Sequence, residues 1–142
     1  MQEVFLIGIL AWITYTDIKS RRIPNTALLL AIAVRVLFFL GTEGIELLRF
    51  GALCADGFLV SAPLAFLVMA LDRFWNKQTM GGGDIKLVFV TGLYLGWEKN
   101  LVMLWIAAVL ALVYAVLRKK KEFAFGPAIA IATMISLCIY LI

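Results

Sequence analysis

Two aspartates are the residues best suited to chemistry. Asp84 follows three consecutive glycines in Met80–Leu87, MGGGDIKL, and an apolar run begins directly after it. Asp17 closes the first apolar run, ahead of Lys19, Arg21 and Arg22. A carboxylate at membrane depth is expensive enough to be a functional hypothesis by default. Two carboxylates held close in a partly desolvated site cannot both ionise cheaply, so they share a proton and titrate as a pair. That state suits water-mediated amide hydrolysis. The ionised member takes a proton from water as it attacks the carbonyl, and the protonated member donates to the carbonyl oxygen. Asp84, at a helix N-terminus, is expected to ionise more easily, and Asp17, near the C-terminal end of its helix, to keep the proton. Each residue also has a plain structural reading. Asp84 can be an N-cap behind a tight glycine connection, and Asp17 a surface carboxylate beside a basic cluster.

The elements that must position these groups are legible in the composition. The chain has 142 residues, 64% of them hydrophobic, with a mean hydropathy of +1.02, which places it among integral membrane proteins. Apolar runs fall at 4–16, 24–41, 52–71, 85–97, 101–117 and 124–142. Each is helical by length and composition, which predicts an all-α bundle of six transmembrane helices in one domain, residues 1–142. The first run lacks a basic n-region and a small-residue cleavage site, so it is read as a retained helix. Gly81, Gly82 and Gly83 read as a loop ending where Ile85 begins a helix. Non-helical backbone entering a membrane needs protein or water around it, which implies a wet cavity at Asp84. Glu3 to Asp17 and Asp84 to Glu98 are both fourteen residues, about 21 Å of helix each. If Glu3 and Glu98 mark the outer surface, the two aspartates lie at matched depth on antiparallel helices.

Charge sets the expected orientation. Ten of the thirteen Lys and Arg follow the first, third and fifth spans. The positive-inside rule then puts those connections, and both aspartates, toward the cytoplasm and both termini outside. The net charge of +4 is explained by topology, since the basic residues lie between spans rather than along one face, and no nucleic-acid partner is implied. The Arg118–Lys121 tetrad also suits anionic lipid. Cys54 and Cys138 are isolated and there is no histidine, so no usual zinc site can be built, a disulfide is not expected, and neither metal nor cofactor is implied.

Other features read as follows. Arg35 and Asp56, toward the outer ends of the second and third runs, are expected to form a structural ion pair. Gly44–Phe50 reads as a short amphipathic surface segment, and Asp72–Met80 as an interfacial stretch flanking the glycine loop. Phe125-Gly126-Pro127 heads the sixth run, either as an ordinary helix start with proline in its first turn or as a wall of the cavity. A positive φ and close substrate approach are expected at Gly83, so Gly83→Ala should harm activity more than Gly92→Ala within the fourth helix.

The chain resembles the type IV prepilin peptidase family of intramembrane aspartyl proteases, including the archaeal preflagellin peptidases. The resemblance rests on Asp17 with Ile23-Pro24-Asn25, on Gly81-Gly82-Gly83-Asp84-Ile85-Lys86 as a version of the family's G-x-G-D motif, and on Phe125-Gly126-Pro127, in that order. It implies a GxGD-protease-like bundle in the cytoplasmic (inner) membrane, with Asp17 and Asp84 as the catalytic pair. The glycines, Lys86 and the 125–127 motif would shape the site or bind substrate. The implied substrates are prepilin-like precursors, which lose a short basic leader, usually after glycine, at the cytoplasmic face. Longer bacterial members carry a cysteine-containing insertion and N-methylate the new N-terminus. That insertion is absent here, as in peptidases serving Flp/Tad-type pili, and methyl transfer is not implied. A reading from another class is a small transporter using Asp17 and Asp84 as a proton or cation site. Inverted repeats would favour it, and none is visible. GGGDIK lacks the spacing and Lys-Ser/Thr pair of a phosphate loop.

Overall fold

The computed structural model describes residues 2–78, 80–118 and 125–141. Among them are six helices and no strand: α1 (Gln2–Ser20), α2 (Asn25–Glu43), α3 (Leu47–Trp75), α4 (Gly82–Leu95), α5 (Trp97–Arg118) and α6 (Phe125–Leu141). Three are long and apolar enough to cross a membrane by length and composition, over Asn25–Thr42, Leu47–Trp75 and Trp97–Leu117. α6 is apolar but shorter. α1 carries Glu3, Asp17 and Lys19, and α4 has only 14 residues, about 21 Å. These two helices, one interrupted by charge and the other short, are the ones that bear the aspartates.

α4 is the centre of the bundle. It packs against α2, α3, α5 and α6, while α1 packs against α2 and α6. Leu6, Leu10 and Ile13 of α1 meet Leu87 and Val88 of α4, Met103 and Ala107 of α5, and Ile129 of α6 in one buried cluster. Polar side chains join them in the interior, for Thr91, Asn100, Thr133 and Ser136 are fully buried, whereas Phe66 and Leu112 are 74% and 66% exposed. Thr91, Asn100 and Thr133 are hydrogen-bonded there, and apolar groups outward with polar groups inward is the arrangement a bilayer favours, because helix contacts there gain little from apolarity alone.

The tightest contact is between α3 and α4. A Cβ on Gly92 would lie 2.8 Å from Asn100 Nδ2, 2.9 Å from Gly57 Cα and 3.0 Å from the Asp56 carbonyl oxygen. Paired small residues let two helix backbones approach closely. Asn100 locks the same place from α5. Its Nδ2 donates to the Val88 carbonyl at 3.0 Å, and its Oδ1 accepts from Thr91 Oγ1 at 2.9 Å. Gly92 is therefore the most tightly packed glycine of α4, which bears on stability, whereas the expectation of a mild effect concerned activity.

Several expected boundaries shift. α4 begins at Gly82 rather than Ile85, so Gly82, Gly83 and Asp84 form its first turn. Once Gly81 is extended (φ −69°, ψ 138°), the next two glycines take helical angles, because the apolar face that follows is anchored by four neighbouring helices. Gly83 has no positive φ; the glycines that do are Gly44 and Gly96. Gly96 (φ 81°) ends α4, and its N–H donates to the Gly92 carbonyl. Glu98 consequently stands on α5, so the stretch from Asp84 to Glu98 is not one helix and cannot serve as a depth ruler. α3 runs for 29 residues and absorbs both Leu47–Phe50 and Asp72–Trp75. The basic tract 119–121 lies outside the described residues.

Arg35 does not turn to Asp56. Its Nε donates to the Leu93 carbonyl at 2.7 Å and a terminal nitrogen donates to Gln2 Oε1 at 2.5 Å, with the guanidinium 5.8 Å from the Tyr94 ring centre. A cation at a helix C-terminus answers carbonyls left without intrahelical partners, and α4 supplies them where Gly96 stops it. Gln2 is the first residue of α1 and Leu93 is in the last turn of α4, so the two helices run antiparallel. Their opposite ends carry Asp17 and Asp84.

Candidate active site

Asp17 and Asp84 line one cavity of about 300 Å³. Asp17 comes from the last turn of α1 and is only 5% exposed. Beyond it the chain leaves the helix through Arg21, in a left-handed conformation (φ 52°), whose N–H donates to the Asp17 carbonyl at 2.8 Å. Ile23 and Pro24 then lead into α2. Asp84 comes from the first turn of α4, and the two carboxylates are near enough to interact electrostatically.

The glycines position Asp84 in three different ways. Gly81 is the residue before the helix; its N–H faces the Asp84 carboxylate and its carbonyl accepts the Asp84 N–H at 3.0 Å. Asp84 thus sits three residues into the turn and reaches back, as the acidic member of a capping box does, and is not itself the N-cap. A Cβ on Gly81 would come within 3.3 Å of Asp84 Oδ2. A Cβ on Gly83 would meet Ile23 Cβ at 3.1 Å, so its smallness lets α4 lie against the α1–α2 connection and brings Asp84 to Asp17. Gly82 meets nothing.

Gly126 does for Asp17 what Gly81 does for Asp84. Its backbone N–H, in the first turn of α6, faces the Asp17 carboxylate. A Cβ there would overlap Asp17 Oδ2 and lie 3.1 Å from Cγ. Oδ2 is buried and meets no hydrogen-bond partner among the described residues. Each carboxylate therefore faces the first turn of a helix, α6 for Asp17 and α4 for Asp84. Position along its own helix alone does not decide which aspartate holds the proton.

The other sequence candidates separate. Lys86 lines the cavity, with Nζ donating to Asn25 Oδ1 at 3.3 Å. Phe125 instead lines a separate cavity of about 260 Å³ with Met80 and Trp105. Pro127 occupies the first turn of α6 and, like Phe125, is not among the residues around the aspartates. Four residues that line the cavity were not among the predicted site residues: Arg21, Arg22, Ile23, and Asn25, which bridges α2 to Lys86. Ile23 and Asn25 were visible in the sequence as parts of the Ile23-Pro24-Asn25 motif, and Asn25 also by its place at the start of an apolar run. Among the described residues no cluster of His, Cys, Asp and Glu suits a metal ion.

A profile of the type IV leader peptidase family matches residues 4–116. Three curated relatives bear the name prepilin leader peptidase/N-methyltransferase. The one from Pectobacterium carotovorum subsp. carotovorum is 30% identical over 135 residues, covering 90% of this chain and 47% of the relative. That from Neisseria gonorrhoeae is 27% identical over 132 residues, 91% of this chain and 45% of the relative. That from Aeromonas salmonicida is 29% identical over 146 residues, 96% of this chain and 48% of the relative. The chain thus spans about half the length of the curated relatives it matches. No solved structure matches it significantly.

Proposed function

Because this chain belongs to the type IV leader peptidase family, we propose that it is an intramembrane aspartyl endopeptidase that removes the short basic leader of prepilin-like precursors at the cytoplasmic face of the inner membrane. The chain acts as one domain of six membrane-crossing helices in a multi-pass membrane protein. Both termini lie outside, and the basic connections after α1, α3 and α5 lie in the cytoplasm, on the count of basic residues. The observation that carries the reading is the meeting of Asp17 and Asp84 in one cavity, from helices far apart in sequence.

The pair holds one proton. The ionised carboxylate removes a proton from water as the water oxygen bonds to the scissile carbonyl carbon, and the protonated carboxyl gives its proton to the carbonyl oxygen. The resulting gem-diol collapses when the first carboxyl returns its proton to the amide nitrogen and the second takes one from a hydroxyl. The C–N bond breaks and the pair regains its starting state. Lys86, with Asn25, stands at the cavity's edge as a group to position substrate, and the glycines keep the approach clear.

The test is leader removal from a co-expressed prepilin by Asp17→Asn and Asp84→Asn variants that still insert and fold. Each is expected to abolish cleavage, since the mechanism needs both members. Near-parental processing by either variant refutes the aspartyl mechanism.

A further inference from the structure

A cavity larger than the one around the aspartates lies beside it. It is an open groove of about 810 Å³, bounded by one stripe from each of α2, α3 and α4. On α3 the stripe is Phe58, Ser61, Ala62, Ala65, Phe66 and Met69, a single helical face. Eleven residues separate its ends, about 16 Å of helix. α2 and α3 both pack on α4, and they meet each other at Phe39, which packs against Leu53 and Phe50. α4 is therefore the floor, and the gap between the other two helices is the groove. A helix about 10 Å wide and 16 Å long occupies roughly 1,300 Å³, so the groove takes rather more than half of such a helix, as a bundle does with a peripheral member. Ser61, Ala62 and Ala65 lie between Phe58 and Phe66, and small residues framed by large ones are what a second helix backbone needs to come close.

The groove is continuous with the site. Asn25 and Lys86, hydrogen-bonded to each other, line both the groove and the carboxylate cavity. From that shared sill the groove runs along α2 from Asn25 to Ile32, while Asp17 and Asp84 lie on its other side. Resting on the function proposed above, we propose that this groove docks an apolar helical segment of the precursor adjoining the scissile bond, so that the bond is presented at the end of a helix seated between α2 and α3. Specificity then comes in part from apolar helix packing, with Lys86 and Asn25 marking the point where the substrate leaves the helix for the extended backbone that hydrolysis requires.

The experiment uses protein carrying Asp84→Asn, so that substrate is held uncut, in liposomes with a synthetic precursor: a basic leader ending in glycine, followed by an apolar helix of about 20 residues. The photoreactive amino acid p-benzoylphenylalanine is placed at Phe66, on the groove wall, or at Leu112, on an exposed face of α5. Illumination is expected to join the Phe66 position to the apolar segment of the precursor, with roughly tenfold less product from the Leu112 position. Excess leader without the apolar segment should not compete. Products from the Phe66 position with lipid alone or with a second copy of this chain, or equal labelling of precursor from both positions, overturn the proposal. In the active parent, Ala62→Trp should raise KM for this precursor roughly tenfold, and an unchanged KM likewise overturns it. A parent that cleaves no precursor refutes the peptidase reading instead, and the cross-linking still reads the groove by itself.

Discussion

Replacing Gly92 by alanine tests whether the α3–α4 contact or the glycine turn at Asp84 is the more sensitive part of α4. The added methyl would sit 2.9 Å from Gly57 Cα and 3.0 Å from the Asp56 carbonyl oxygen. Both are backbone atoms and move only if the helices separate. It would also sit 2.8 Å from Asn100 Nδ2, the group that donates to the Val88 carbonyl. Overpacking costs about 1–3 kcal/mol, and displacing a buried amide from its partners costs about 1–3 kcal/mol more. Alanine's better helix propensity returns about 1 kcal/mol, leaving a net loss of roughly 1–5 kcal/mol. Gly82→Ala is the control. It lies in the same helix and its Cβ meets nothing within 4 Å, so it should be neutral or slightly stabilising. Gly83→Ala falls between, since only Ile23 must give way. Thermal unfolding in detergent, followed by tryptophan emission, should order the midpoints as Gly82→Ala, then Gly83→Ala, then Gly92→Ala at the bottom. A Gly92→Ala protein as stable as the parent, or a Gly82→Ala protein less stable than it, refutes the packing argument.

Gly126→Ala should cut leader removal by roughly tenfold or more while helicity by circular dichroism stays parental, because the new methyl overlaps Asp17 Oδ2; parental cleavage would mean that α6 does not press on that carboxylate. Arg35→Met removes the donors to the Leu93 carbonyl and Gln2 and should destabilise by about 1.5–3 kcal/mol, with a Tm drop in detergent as the readout. Asp56→Ala should change Tm much less, since Arg35 is directed elsewhere, and an equal loss would restore an Arg35–Asp56 pair. Single cysteines at Ser20 and Gln78 should react with an impermeant maleimide only after the membrane is opened, and labelling in intact cells would reverse the topology.

Sequence alone determined the elements. Six apolar runs became six helices, with ends shifted by up to five residues, because a long unbroken apolar stretch must satisfy its backbone within one helix. It also singled out Asp17 and Asp84, because a carboxylate beside an apolar run is costly and therefore conspicuous. Tertiary structure decided what lies against what. Gly81, Gly82, Gly83 and Gly92 are the same residue in one short stretch, and nothing local tells an open position from one facing Ile23 or one pressed on Gly57. That difference is made by which neighbouring helix passes within van der Waals contact. Arg35 illustrates the same point. A charge in an apolar run needs a partner, and the hairpin of the second and third runs pointed to Asp56, yet the carbonyls at the end of α4 took it because Gly96 breaks that helix there and leaves them unanswered. Period and composition report how a segment folds on itself; the partner of a buried polar group and the space around a glycine are fixed only once separate helices have packed.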